Sequence, residues 1–143
     1  MLRFAFQMLL VAAACIFAWR QGERPEKIGA TILMAMVGLQ LAAASFVPIR
    51  DYQILDPITF LVDLSGFVAM LWLALTADRF WPLCFAAFQL LSTSTHLLRA
   101  AGFPMEPLVY VIMVRAPSYG LIAILGLGTW NVVRRRQLQA ATR

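Results

Sequence analysis

The chain has 143 residues, of which 62% are hydrophobic and only 13% are charged, and its formal net charge is +5. Soluble domains are about half apolar and about a quarter charged, so this composition excludes a water-soluble fold and indicates an integral membrane protein. The positive charges flank apolar segments, where they set orientation and meet anionic lipid, so we expect no nucleic-acid partner. The length predicts a single membrane domain, residues 1–143, without a separate soluble module.

Five apolar stretches are each long enough to cross a hydrocarbon core about 30 Å thick. They are continuous rather than alternating, which predicts helices, and so short a chain does not suit a barrel with a wet lumen. A signal peptide is the competing interpretation of the first stretch, but the apolar run continues to Trp19 behind the single charge of Arg3. We predict an all-α, polytopic transmembrane helical bundle with five spans, at residues 2–19, 28–47, 58–77, 81–98 and 108–133.

Basic residues favour one side of this five-span path. One side receives Arg20, Arg24, Lys27, Arg79, Arg134, Arg135, Arg136 and Arg143, and the other receives Arg3, Arg50 and Arg99. The richer side is expected to be the cytoplasm, which places the N-terminus outside and the C-terminus inside. Only one of the twelve basic residues is lysine, which favours a GC-rich bacterial genome. We therefore expect a multi-pass protein of a bacterial inner membrane.

Small residues recur at helical spacing in the second and fifth spans, where they would let helix backbones approach closely. We expect both faces to pack inside the bundle rather than between copies of the chain. Gln7 and Gln40 fall at the same depth in the first hairpin, which predicts a hydrogen bond between them. The small residues are Ala35, Gly38, Ala42 and Ser45 in the second span and Ala116, Gly120 and Ala123 in the fifth.

Three ionisable residues, Asp63, His96 and Arg115, lie inside the apolar stretches. An intramembrane charge is unfavourable unless it has a partner or faces a water-filled cavity. Counting outward from the turn between the third and fourth spans puts Asp63 and His96 at the same depth. The next hairpin puts Arg115 level with Ser92, about one helical turn deeper. The sequence predicts one polar cluster in the outer half of the membrane, in which Asp63 pairs with Arg115 beside His96.

A polar stripe along the fourth span supports this cluster, because its members share one helix face that should point inward. Tyr119 lies one turn from Arg115 and is expected to share its hydrogen bonds. The supporting members are Gln89, Ser92, Thr93, Arg99 and Tyr119.

The sequence predicts no catalytic residue and no metal site. It has no nucleophile elbow and no glycine-rich phosphate loop, and it lacks the ligand set of a zinc site. Its single histidine, His96, cannot supply bis-histidine haem ligation. No cofactor is predicted; bound lipid is expected, and haem, chlorophyll and quinone stay open as minor alternatives.

Three functional interpretations follow. The first is a non-enzymatic accessory or scaffolding subunit of a larger membrane complex, whose partners are membrane lipids and other membrane subunits and whose polar cluster fixes helix order. The second is a small transporter, channel or proton-coupled carrier in which Asp63 and His96 titrate. The third is a membrane-embedded lipid- or quinone-binding protein. The absence of a catalytic motif and the small size favour the first.

Overall fold

The computed structural model describes residues 2–46, 57–104 and 106–142, and all regular structure within these ranges is helical. The helices are α1 (Leu2–Gln21), α2 (Arg24–Phe46), α3 (Pro57–Thr76), α4 (Trp81–Ala100) and α5 (Pro107–Ala141). The predicted all-helical architecture is confirmed for these residues. The last helix continues past the predicted end at position 133, as far as Ala141.

Proline and glycine set the helix ends. A proline occupies the first or second position of four helices, where its missing N–H has no intrahelical acceptor in any case. Gly102 ends α4 with φ at 77°, donating its amide to the carbonyl of Arg99 at 3.1 Å, and the next amide donates to Leu98 at 3.2 Å. This is a Schellman motif, which requires the left-handed conformation that glycine adopts freely. The four prolines are Pro25, Pro57, Pro82 and Pro107.

The helices form a ring in sequence order. Each packs against the next, and α5 closes the ring against α1, with a smaller contact to α2. α1 and α5 run parallel, because Gln7 Nε2 donates to Ser118 Oγ at 2.8 Å near one end and Arg136 Nη1 donates to the carbonyl of Gln21 at 3.2 Å near the other. All five helices contribute to the apolar core, which includes Val11, Cys15, Ala30, Leu33, Met70, Leu73, Phe85, Leu121 and Leu125.

Four helices, α1, α2, α3 and α5, are long and apolar enough to cross a membrane. α4 has the length, at 20 residues, but not the apolarity. The reason is its inward face, on which five polar side chains are buried: Gln89, Ser92, Thr93, Thr95 and His96. Four of the five predicted spans therefore have the length and composition of helices that can cross a membrane.

The predicted bond between Gln7 and Gln40 is wrong. Gln7 bonds Ser118 on α5, while Gln40 Nε2 donates to Asp63 Oδ1 on α3 at 3.3 Å. The depth estimate did not include the rotation of each helix about its own axis, which turns these two side chains toward different neighbours.

The prediction that the small-residue face of α2 packs inside the bundle is also wrong. Ala35, Gly38, Ala42 and Ser45 are exposed, and a Cβ added at Gly38 would meet no atom within 4 Å. On α5, Ala116 and Ala123 are likewise exposed, and Gly120 alone of its set meets a neighbouring helix, at the ring of Phe88. The close helix contacts form instead at Gly29, Gly66 and Gly128.

Candidate functional site

A buried carboxylate on α3 gathers polar side chains from two other helices. Asp63 is 3% exposed; its Oδ2 accepts a hydrogen bond from Ser92 Oγ at 2.6 Å, and its Oδ1 accepts one from Gln40 Nε2 at 3.3 Å. Gln89 Nε2 donates to the backbone carbonyl of Asp63 at 3.2 Å. We call Asp63, Gln40, Gln89, Ser92 and His96 the Asp63 cluster. It joins α2, α3 and α4 through one acidic side chain.

His96 completes this cluster from one turn further along α4. Its Nε2 lies 3.3 Å from Asp63 Oδ2, and the side chain is 1% exposed. The ring also stands edge-on to Phe60, with centroids 6.2 Å apart and planes at 68°. The adjacency of Asp63 and His96 agrees with the prediction from the hairpin count.

Helix geometry explains why both Ser92 and His96 reach one carboxylate. Side chains on a helix tilt toward its N-terminus, so His96 on α4 tilts back toward Ser92. Asp63 on antiparallel α3 tilts in the opposite sense, toward Phe60 and hence toward His96. Ser92 and His96, which lie one turn apart on α4, therefore both reach the Asp63 carboxylate.

The position of Arg115 can be described at the level of the backbone only. Trp81 lies against Gly128 and Phe88 against Gly120, so α4 and α5 run antiparallel residue for residue. Ser92 lies one turn beyond Phe88 on α4, so it is level with about position 116 on α5. The backbone of Arg115 therefore lies at the height of the Asp63 cluster. Its side chain lies outside the described part of the chain, so the predicted pairing with Asp63 stays a prediction.

The other predicted supporting residues take different places. Thr93 is buried, but its Oγ1 donates to the carbonyl of Gln89, 2.9 Å away in its own helix. Arg99 is half-buried in the last turn of α4. Tyr119 is 43% exposed on α5. Of the five supporting residues, the structure brings Gln89 and Ser92 to Asp63.

A second buried carboxylate, which was not predicted from the sequence, lies at the other end of the bundle. Glu26 is fully buried; its Oε1 accepts from Trp81 Nε1 at 3.0 Å, and its Oε2 accepts from the backbone amide of Glu23 at 3.0 Å. We call Glu23, Glu26, Arg79, Trp81 and Arg136 the Glu26 cluster. About 20 Å of α3, from Asp63 to Thr76, separates it from the Asp63 cluster.

Local sequence explains the position of Glu26. It is the third residue of α2, from which a glutamate side chain can bond back to the amide of the residue preceding the helix, as in a capping box. Its negative charge also lies at the positive end of the helix dipole. The first predicted span ends at position 19 and the second begins at position 28, so this role of Glu26 was not predicted from the sequence. Proline one residue before a glutamate was the available signal for a helix start.

Two glycines hold Trp81 against Glu26. A Cβ added at Gly29 on α2 would lie 2.5 Å from Trp81 Cη2, and one at Gly128 on α5 would lie 2.9 Å from Cγ of the same ring. Only glycine therefore fits on either side of the indole without movement. The indole at the start of α4 thus wedges between α2 and α5 and delivers its N–H to a buried acceptor.

Glu23 forms the outer, half-exposed part of this cluster. Its carboxylate pairs with Arg79 in the α3–α4 connection, and its Oε1 lies 3.7 Å from Arg136 Nη2 on α5. Arg136 also donates to the carbonyl of Gln21. One carboxylate and two guanidinium groups thus tie three parts of the chain together at this end.

Neither cluster has the composition of a metal centre. Among the described residues no group of three or more histidine, cysteine, aspartate or glutamate side chains could hold a metal ion. The Asp63 cluster presents one carboxylate, one imidazole, one hydroxyl and two amides, groups that can exchange hydrogen bonds or a proton. No family model, curated protein or solved structure matches the chain.

Proposed function

We propose that the chain is a non-enzymatic accessory or scaffolding subunit of a larger assembly in a bacterial inner membrane, crossed by all five helices. Four helices have the length and apolarity to cross. α4 packs against α3 on one side and α5 on the other, and residues 77–80 are all that separate it from α3. A helix so connected crosses with its neighbours, and the ring shields its polar face from lipid.

The distribution of charge supports an orientation with the N-terminus outside. The end of the bundle that holds the Glu26 cluster also carries the exposed residues Arg20, Arg24, Lys27, Arg134 and Arg135. Cytoplasmic loops carry an excess of such residues, so this end is assigned to the cytoplasm. Reporter fusions after Lys27 and after Arg143 should both report cytoplasm, and a periplasmic signal at either would overturn the five-span topology.

One observation carries the scaffolding role: the polar groups of the Asp63 cluster are directed at each other across helices. Ser92, Gln40 and His96 surround one carboxylate, and Gln89 holds the backbone of the same residue. Such a network fixes the order and rotation of three helices, which is what a rigid subunit needs.

The exposed face of α2 supports a partner in the membrane. Ala35, Gly38 and Ala42 leave the helix backbone open on the outside of the ring. Small residues of this kind allow a helix of another subunit to approach closely. We assign this face to a transmembrane helix of that subunit.

Purification in a mild detergent tests the proposal. The chain should co-migrate with at least one other membrane protein, and Gly38→Leu should remove that partner while the chain still folds. Gly126→Leu is the matched control, because a Cβ at Gly126 on α5 also meets nothing within 4 Å. A chain that purifies reproducibly alone, or a partner lost equally in both variants, would contradict the proposal.

A second candidate function rests on the contact between His96 and Asp63. An imidazole 3.3 Å from a buried carboxylate is a pair through which a proton-coupled carrier or channel could work. Reconstituted protein should then show a flux that Asp63→Asn abolishes at unchanged expression and thermal stability. The absence of flux in the unmodified chain, or a flux that survives Asp63→Asn, would rule this candidate out.

A further inference from the structure

The outer face of α3 carries an unbroken stripe of branched apolar side chains. They recur at alternating spacings of three and four residues, and we call them the α3 seam: Leu61, Leu64, Val68, Leu71 and Leu75. Three of them are more than half exposed, at 60% for Leu61, 57% for Val68 and 76% for Leu75. At about 100° per residue, the seam is centred opposite the residues that α3 buries, which are Val62, Asp63, Gly66, Met70 and Leu73. The seam therefore faces away from the bundle.

A groove of about 590 Å³ runs beside the α3 seam. Its floor is formed by the small residues Ser65 and Ala69, and its walls are the larger side chains Leu61, Leu64, Val68 and Trp72. The hydroxyl of Ser65 donates to the carbonyl of Val62 at 2.8 Å, so it requires no partner from outside the chain. Projecting side chains and a hollow that can receive them thus lie next to each other on one apolar face.

The spacing of the seam indicates what covers it. Apolarity alone selects no occupant, because lipid tails are as apolar as leucine. Alternating steps of three and four residues, however, are those at which the side chains of two helices interlock along their length. The outermost stripe of α4 has the same spacing but is interrupted by the small residues Ala87 and Ser94; its other members are Cys84, Leu91 and Leu98. The α3 seam therefore suits a second helix better than it suits an acyl chain.

We propose that the α3 seam is the contact of a parallel homodimer, in which it packs against the same seam of a second copy. Copies of one chain cross the membrane in the same direction, so a twofold axis along the membrane normal places each seam residue beside its equivalent. At the centre, the β-branched Val68 lies between Leu64 and Leu71, which is a pattern of two-stranded coiled coils.

The available area is sufficient for such a pair. The exposed seam side chains, together with Trp72 at 58% exposure, offer on the order of 500 Å² in each copy, so two copies have about 1,000 Å² to bury, the size at which specific interfaces begin. The homodimer rests on the proposed crossing of the membrane but uses a different face from the one assigned to a partner on α2.

Cysteine cross-linking in native membranes tests the contact. With both native cysteines replaced by alanine, V68C should give a disulfide-linked product on mild oxidation, which raises the mass from 16.0 kDa to about 32 kDa. A87C is the matched control, because Ala87 is exposed on α4 and the contact of Ser92 with Asp63 puts it level with Val68. It should give at most about a fifth of the product. Equal yields, or a product of V68C with a protein of another mass, would overturn the proposal.

Truncation of leucines measures the strength of the contact. L61A/L75A removes two exposed seam side chains and should weaken self-association in detergent about tenfold, measured by dilution and native mass spectrometry. L91A/L98A removes two leucines that are 45% and 44% exposed on α4 and should change the affinity by less than about twofold. An unchanged melting temperature verifies that each variant is folded.

Equal weakening by the two double variants, or a chain that is monomeric at every concentration, would overturn the homodimer. The reporter fusions described above test the crossing separately. If they confirm the topology while V68C forms no product, the homodimer alone is wrong and the proposed function stands.

Discussion

The Asp63 cluster and the Glu26 cluster both bury a carboxylate in one bundle, but they satisfy it with different groups. Around Asp63 the partners are uncharged amide and hydroxyl groups and one imidazole, all from the interior positions of helices. Around Glu26 the partners are an indole and a backbone amide of its own helix start. Three charged residues beside it, Glu23, Arg79 and Arg136, form a partly exposed layer outside it.

The difference follows from the distance to solvent. Near a helix end, backbone amides are available as donors, and long guanidinium side chains can reach water while pairing with Glu23. In the middle of a bundle the backbone amides are already bonded, so Asp63 depends on side chains that other helices supply. The Asp63 cluster therefore needs the tertiary fold, whereas the Glu26 cluster begins from local structure.

The largest effect is expected from Asp63→Leu. The change leaves the donors of Gln40 and Ser92 without their acceptor and removes the carboxylate beside His96, so the free energy of unfolding should fall by about 3 kcal/mol. Asp63→Asn keeps one acceptor oxygen and should lose about 1 kcal/mol. Unfolding in mixed micelles with increasing dodecyl sulfate measures both. Equal losses for the two variants would show that the acceptor does not hold this cluster together.

Glu26→Leu should have the next largest effect, about 2 kcal/mol, because Trp81 Nε1 and the amide of Glu23 then lack an acceptor. Glu26→Gln retains one carbonyl oxygen and should recover about half of the loss. The same unfolding assay applies. A leucine variant as stable as the unmodified chain would mean that Trp81 is held by packing alone.

Gly29→Ala tests the wedge around Trp81. The new Cβ would lie 2.5 Å from the indole, and this overpacking should lower the free energy of unfolding by about 1.5 kcal/mol. Gly38→Ala on the same helix is the matched control. It meets open space and should raise stability by up to about 1 kcal/mol, because alanine favours helix over glycine. Similar changes in the two variants would contradict the wedge.

The smallest effect is expected from Glu23→Gln. Its ion pairs with Arg79 and Arg136 are half-exposed, so the loss should stay below about 1 kcal/mol and should shrink as salt is added. The loss in Asp63→Leu should not respond to salt. Titrating sodium chloride in the unfolding assay compares the stability losses of the two variants. A loss in Glu23→Gln that does not change with salt would contradict the proposed difference between the two clusters.

The sequence predicted the helices well because long apolar runs bounded by prolines leave few alternatives. It also predicted that Asp63 and His96 meet, since a hairpin with a short connection fixes relative depth. It did not predict the partner of Gln40 or the exposed face at Gly38, because depth says nothing about the rotation of a helix about its axis. Glu26 was missed because, next to Arg24 and Lys27, it reads as part of a charged loop.

The polar face of α4 also has a consequence for how the protein is made. On its own, a helix with Gln89, Ser92, Thr93 and His96 along one side partitions poorly from the translocon into lipid. The proposed crossing of α4 therefore depends on α3, whose Asp63 serves as a partner for this polar face. By then α3 has already emerged from the ribosome, and only four residues connect it to α4. The two helices would enter the bilayer as one hairpin, and the Asp63 cluster would begin to form during insertion rather than after it.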